Sequence, residues 1–315
     1  MVAVLVQGAA GGSDSLAELW ARVTGDSTDG AAWFRLGHAY VRLSAEYHLH
    51  RSPPDTAGAR AALDTADHAF ARAARWGGAG AGGGRAETDS ARVFRVHTWG
   101  ERAFLAWEQG GVEAAARAWG ALPEDLKLPP VLEELGENLL RACPSEGVLL
   151  TAGDADSYAA SYMRFARRLR PDLLILPLAV WRSDSVFRTR VSQELKLGRA
   201  AWGAGGESDE HRWLRALVER RPVCASMAFE RPPEARPRIR WKAHPLVWVA
   251  GPDVQEDRVP PRDFVFAALR LALDQGEAWA EPALALYRRA AAETPALCGP
   301  LATFGLAGET VGCRR

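Results

Sequence analysis

The chain has 315 residues, enough for about two domains and for a buried core that needs no metal or disulfide staple. Its 39 Lys and Arg balance 39 Asp and Glu, which argues against a protein built to hold nucleic acid or an anionic membrane. A hydrophobic content of 48% and a charged content of 25% exclude wholesale disorder. The four cysteines (Cys143, Cys224, Cys298, Cys313) form no CxxC, so neither a disulfide framework nor a zinc knuckle is expected. Only three basic residues are lysine (Lys127, Lys196, Lys242), as in the coding bias of a GC-rich bacterial genome. No run reaches the roughly 18 to 20 apolar residues that span a bilayer. Residues 1–14 lack a basic leader and are read as a flexible start of a cytoplasmic protein, a clipped signal peptide being the alternative.

From Ser15 to about Pro144 the apolar spacing is helical. Ser15 with Glu18 predicts a capping box ahead of Leu16, Leu19, Trp20 and Val23. Trp33, Leu36 and Tyr40 then share one helical face, with Gly37 where a second helix would come close. Ala66, Phe70 and Ala73 mark that second helix. The stretch from Ser44 to Ala61, with Ser52-Pro53-Pro54-Asp55, is either a lengthened first helix or an inserted loop. Gly77–Gly84 predicts a flexible linker. Trp99, Ala103, Gly110, Ala115 and Trp119 mark a second hairpin, with Arg102 where leucine is expected. Leu132, Leu135, Gly136 and Leu139 mark a third. These spacings resemble the tetratricopeptide repeat, whose stacked hairpins offer a concave surface to a peptide or protein. The resemblance points to partner contact through Trp33, Tyr40, Trp99 and Trp107. The alternative is that the helices only scaffold the domain that follows. The histidines of this half, His48 and His50 among them, are read as solvated rather than metal-bound.

At Gly147 the period changes. Gly147–Gly153 and Leu173–Trp181 read as buried strands flanking a helix that carries Tyr158, Tyr162, Phe165 and Leu169, a β-α-β unit with an expected right-handed crossover. Helices are expected over Ser185–Leu195 and Asp209–Arg220, with a Gly203–Gly206 loop between them. Strands follow at Pro222–Phe229 and Leu246–Ala250, separated by the Pro/Arg-rich loop Arg231–Arg240. Helices over Asp263–Asp274 and Pro282–Glu293 close the domain, and the tail from Cys298 shows little periodicity. The expected fold class is α plus α/β. A short tetratricopeptide-like array (15–145) precedes an α/β domain (146–297) with a mainly parallel sheet of about four strands, and a tail (298–315) follows.

Thr151-Ala-Gly153-Asp154-Ala-Asp156-Ser157-Tyr158, then Tyr162, then Arg170-Pro171-Asp172 before an apolar strand, resemble one soluble segment of bacterial multi-pass membrane proteins of the protein O-mannosyltransferase-like class. Arg221-Pro222-Val223-Cys224 matches a second stretch, with Cys224 where that class has an aromatic. The resemblance implies the α/β fold over roughly 80 to 100 residues and, by analogy, a soluble partner of a glycosylation system. The membrane half that would transfer sugar has no counterpart in this sequence, so transferase activity is not implied.

Ligands of open parallel sheets bind beyond the carboxyl ends of the strands. Asp154 and Asp156 fall there. Asp-x-Asp could hold magnesium or manganese bridging a phosphate- or sugar-bearing ligand. The helix N-terminus with Ser157 could hold an anion, or the aspartates could cap the helix and tie down a turn. Arg182 lies at the same edge and could meet either aspartate or an anionic ligand. His244 is expected at the opposite edge, and Cys224 as an inert core thiol. The sequence has no GxGxxG, P-loop, GxSxG or HExxH. The candidate ligand set is therefore Asp154, Asp156, Ser157, Tyr158 and Arg182, with Asp154 and Asp156 as candidate metal ligands. The expected function is a protein- or peptide-binding adaptor with no resident cofactor, no nucleic-acid partner and no membrane insertion. A metal- or phosphate/sugar-binding enzyme at the Asp154/Asp156 crevice is the alternative.

Overall fold

A computed structural model describes residues 14–77, 85–123, 125–198, 207–234, 238–252, 260–310 and 313. Residues 1–13, most of the expected linker (78–84) and the expected Gly203–Gly206 loop lie outside the described residues. The chain divides into two compact units, Met1–Trp99 and Gly100–Arg315, so the division falls well before residue 145.

In the first unit, α1 (Leu16–Gly25), α2 (Gly30–Leu49) and α3 (Thr56–Trp76) precede the opening turns of α4 (Arg85–Gly120). The capping box at Ser15 forms, the Glu18 carboxylate accepting the Ser15 N–H at 2.7 Å. Asp29 and Asp55 cap α2 and α3. The extra residues between the two hairpin helices lengthen α2 to Leu49 and also leave a connecting segment before α3. Leu36, Ala39, Ala66, Phe70 and Ala73 are buried where α2 and α3 pack together. A Cβ on Gly37 would lie 2.6 Å from Phe70 Cε1, so the ring needs glycine opposite it.

Phe34, His38, Phe70 and Phe94 form one aromatic cluster, with Phe70 stacked on Phe94 at 5.6 Å and His38 edge-on to Phe94 at 4.2 Å. Burial holds the His38 and His97 imidazoles down to about 4, helped by Arg42 beside His38 and by His38 beside His97. The unfolded chain would take up those protons near 6.5. A depressed folded value therefore means stability that is full above pH 6.5 and lost as pH falls toward 4. Urea denaturation at stepped pH should show this acid loss in the wild type and a flatter profile in the His38→Gln/His97→Gln variant. Equal slopes would contradict it.

The second unit contains a five-stranded sheet of order β2-β1-β3-β5-β4, built from β1 (Val148–Thr151), β2 (Leu174–Pro177), β3 (Val223–Ser226), β4 (Lys242–His244) and β5 (Val247–Ala250). The expected mainly parallel sheet of four strands is corrected here. β1 pairs in parallel with β2 and β3, but β5 runs antiparallel to both β3 and β4. Parallel strands need a long crossover, and no helix separates β3 from β5 among the described residues. The antiparallel direction also moves His244. Ser226 pairs with Val247, so His244 sits at the carboxyl edge of β3, the edge of the aspartates and not the opposite one.

Around the sheet lie α5 (Pro130–Ala142), α6 (Asp154–Ser161) with a following π-turn (Tyr162–Ala166), α7 (Leu178–Ser183), α8 (Ser185–Glu194), α9 (Glu207–Val218), α10 (Ala267–Gln275) and α11 (Ala280–Glu293). The run Leu173–Trp181, expected as one strand, is half β2 and half α7. α5, expected as part of the repeat array, packs on α6. A Cβ on Gly136 would lie 2.4 Å from the Ala159 carbonyl oxygen. The expected tail carries a helix of its own, α12 (Cys298–Thr303).

The cysteines are also corrected. Cys143 is cross-linked to Cys224 and Cys298 to Cys313. Cys224 is therefore not a free core thiol. Partners 81 residues apart leave no local spacing to read, and the fold alone brings α5 and β3 together. No helix among the described residues is long and apolar enough to cross a membrane.

Candidate functional site

Asp156 is fully buried and spends both oxygens on its own turn. It accepts the Ala152 N–H and the Gly153 N–H, each at 2.8 Å, and also a hydrogen bond from the Ser226 side chain at the end of β3. Asp154, one turn from Tyr158, accepts a hydrogen bond from the tyrosine hydroxyl. Burial holds both carboxyls above the usual range. Ser157 Oγ is bonded to Thr151 Oγ1 at 2.8 Å. Four of the five candidate ligand residues are thus tied into the β1–α6 turn, where the carboxylates close the sheet edge instead of opening it. A magnesium or manganese ion at Asp156 would have to displace two backbone donors that are worth about 1 to 3 kcal/mol each when left buried and unpaired. Asp156→Asn is accordingly expected to lower stability by about 2 kcal/mol, read by urea denaturation. Neither it nor the wild type should give calorimetric heat with either metal. Strong heat in the wild type alone would reverse this reading.

Arg182, the fifth candidate, meets neither aspartate. Its Nε and Nη2 pair with the two carboxylate oxygens of Glu210 on α9, each at 2.7 Å. That fork forms part of an open cleft of about 560 Å³. Its wall comes from α7 and α8 (Trp181, Arg182, Arg188), from the start of α9 (Glu210, His211) and from the segment after β3 (Phe229, Arg231 to Glu234). Arg289 on α11 fixes that segment, its Nη1 donating to the carbonyls of Met227, Ala228 and Phe229 at 2.7 to 2.9 Å. Trp241 Nε1 pins the far side by donating to the Pro233 carbonyl at 3.1 Å.

Arg188 is 8% exposed. Its Nη1 donates to the carbonyls of Trp181 and Arg182 at 3.1 Å, and its guanidinium lies 5.4 Å over the Trp181 ring. Trp181 packs against Trp213 at 4.5 Å, and its buried Nε1–H has no acceptor among the described residues. Sequence reasoning reached this place through Arg182, just beyond the apolar run Leu173–Trp181, but missed Arg188, Glu210 and Phe229. Nothing in the pattern separates Arg188 from Arg190, the other arginine of its helix.

The aromatic residues expected to meet a partner are mostly interior. Trp33 is 6% exposed and donates to the Ser27 carbonyl at 3.0 Å. Trp107 is 1% exposed, and its Nε1 donates to Glu194 at 2.8 Å beside the break in α4 at Gly111, where φ is 78°. Buried rings cannot reach a partner's surface, which corrects their expected role. Tyr40 is half-buried, its hydroxyl accepting from Trp20 Nε1 at 2.9 Å, and Trp99 is half-buried as well. Trp33, Tyr40 and Trp99 belong to the first unit and Trp107 to the second.

The second unit is thus a mixed α/β sheet protein with an arginine- and aromatic-lined cleft. No protein-family model matches the chain, and no curated protein or solved structure matches it.

Proposed function

We propose that the protein is a peptide-binding adaptor and that its recognition surface is the cleft of the second unit. The observation that carries this reading is the cleft itself. It is open and about 560 Å³ in volume, within the range that holds a compact ligand or a few side chains; the half-buried Phe229 and Pro232 and the Arg182 and Arg231 guanidinium groups face it, and the buried Trp181 ring and Pro233 lie behind them. Aromatic and arginine side chains are the residues that anchor interfaces. The competing reading, a magnesium- or manganese-dependent enzyme on a phosphate or sugar ligand at Asp154 and Asp156, needs Asp156 to release the Ala152 and Gly153 amides. A role beside a glycosylation system rests on the motif resemblance. The two disulfides favour an oxidising compartment over the cytoplasm expected from the sequence, because thiols are kept reduced in the cytosol.

The test is a random-peptide selection on the full chain, followed by hydrogen-exchange mapping of the selected complex. Protection of Phe229 to Glu234 and of the start of α9 is the expected result. Enrichment of no peptide, or protection confined to the first unit, would overturn the proposal.

A further inference from the structure

The charges that line the cleft do not cancel. Its two carboxylates are each taken by an arginine other than Arg188. Glu210 forms the fork with Arg182, and Glu234 lies 3.4 Å from Arg231. Asp184, one turn before Arg188 in the chain, turns its Oδ1 to the Val186 and Phe187 N–H groups as the cap of α8. Arg188 itself, more than nine-tenths buried, has no carboxylate partner among the described residues and makes hydrogen bonds through Nη1 alone. A guanidinium is always charged and carries five donors in a rigid fork, so two carbonyls and a ring face leave its Nε and Nη2 donors unused. Burying such a charge without a counter-ion is costly, and the cleft it lines is where a counter-ion could enter.

We infer that Arg188 is the receptor for an oxyanion on the bound peptide, a carboxylate or a phosphate, taken by its unused donors beside the Trp181 ring. The inference rests on the cleft being the peptide site. The oxyanion completes the fork at the wall of the cleft as a charge-assisted, bidentate pair, the strongest kind of hydrogen-bonded contact. Acidic and phosphorylated motifs are recognised elsewhere by arginine clusters on the same physical grounds. Arg182 stays neutralised by Glu210, which confines the excess positive charge to one place and sets the register of the peptide.

The experiment uses the full chain, fluorescently labelled, on three bead pools of heptapeptides with amidated ends. One pool is neutral, the second carries one Glu at a varied position, and the third carries one phosphoserine. At least one charged pool is expected to retain about tenfold more protein than the neutral pool, and the comparison of the two charged pools tells carboxylate from phosphate. Arg188→Met should bring retention down to the level of the neutral pool. Glu210→Gln should raise retention on the preferred charged pool, because it frees the Arg182 guanidinium, and this readout stands even if Arg188→Met does not fold. Equal retention on all three pools would overturn the oxyanion inference and leave the peptide-binding reading in place. No retention on any pool would remove both. A charged-pool preference that Glu210→Gln does not raise would place the anion receptor elsewhere on the chain.

Discussion

Replacing Cys143 and Cys224 together by alanine is expected to cost about 4 kcal/mol of folding stability. The cross-link joins the end of α5 to the central strand β3 across a separation of 81 residues, and the loop it closes contains β1, α6, β2 and most of the helices that cover the cleft. The unfolded chain without the bond regains the freedom of that loop, an entropy that grows with the logarithm of its length. Both residues are buried, at 3% and 0% exposure, so the alanines add a small packing loss. The Cys298–Cys313 bond closes only 15 residues next to the chain end, and its loss should cost less. Urea denaturation of the double variant beside the wild type, both under non-reducing conditions, reads the difference. A change below about 1 kcal/mol would mean that the denatured wild type already holds these segments together.

Phe70→Ala is expected to destabilise the first unit by about 4 kcal/mol. The side chain is fully buried and touches the rings of Phe34, His38 and Phe94 at centroid distances of 5.3 to 5.6 Å. Its removal leaves a cavity on the α2 side where Gly37 offers no side chain to fill the gap, so collapse would require α2 and α3 to move together. Aromatic pairs contribute about 1 kcal/mol beyond their buried area, which adds to the loss. Denaturation followed by helical circular dichroism checks this. A cost near 1 kcal/mol would show that the hairpin can close over the gap.

Local chemistry made part of this structure legible. Ser15 and Glu18 form the cap their spacing describes, Gly37 meets Phe70, and a strand begins at Val148 where the helical period ends. The losses have specific causes. Leu173–Trp181 is apolar throughout, so it has no period that could separate β2 from α7. β4 is three residues, Lys242 to His244, at the end of a proline- and arginine-rich segment without alternation. The same segment held an unused clue. A stretch without a helix pattern cannot supply the crossover that parallel pairing of β3 and β5 would need. The aspartates were placed at the correct edge, but their role depends on whether carboxylate oxygens turn toward the main chain, and spacing does not encode that. The cleft depends on α7, α8, α9 and the segment after β3 converging. Only Arg182, placed just beyond the apolar run that ends at Trp181, carried a site expectation.

The central claim is that the Arg188 cleft is where this protein meets its ligand. Its most direct test is a nitrogen-15 spectrum of the arginine side-chain Nε–H groups of the full chain, recorded as phenyl phosphate or phenylacetate is added, with Arg188→Lys to assign the resonance. The account predicts that the Arg188 signal moves and its exchange with water slows before any other arginine responds. An Arg188 signal that stays in place while others shift, or a spectrum that does not change at all, would contradict it.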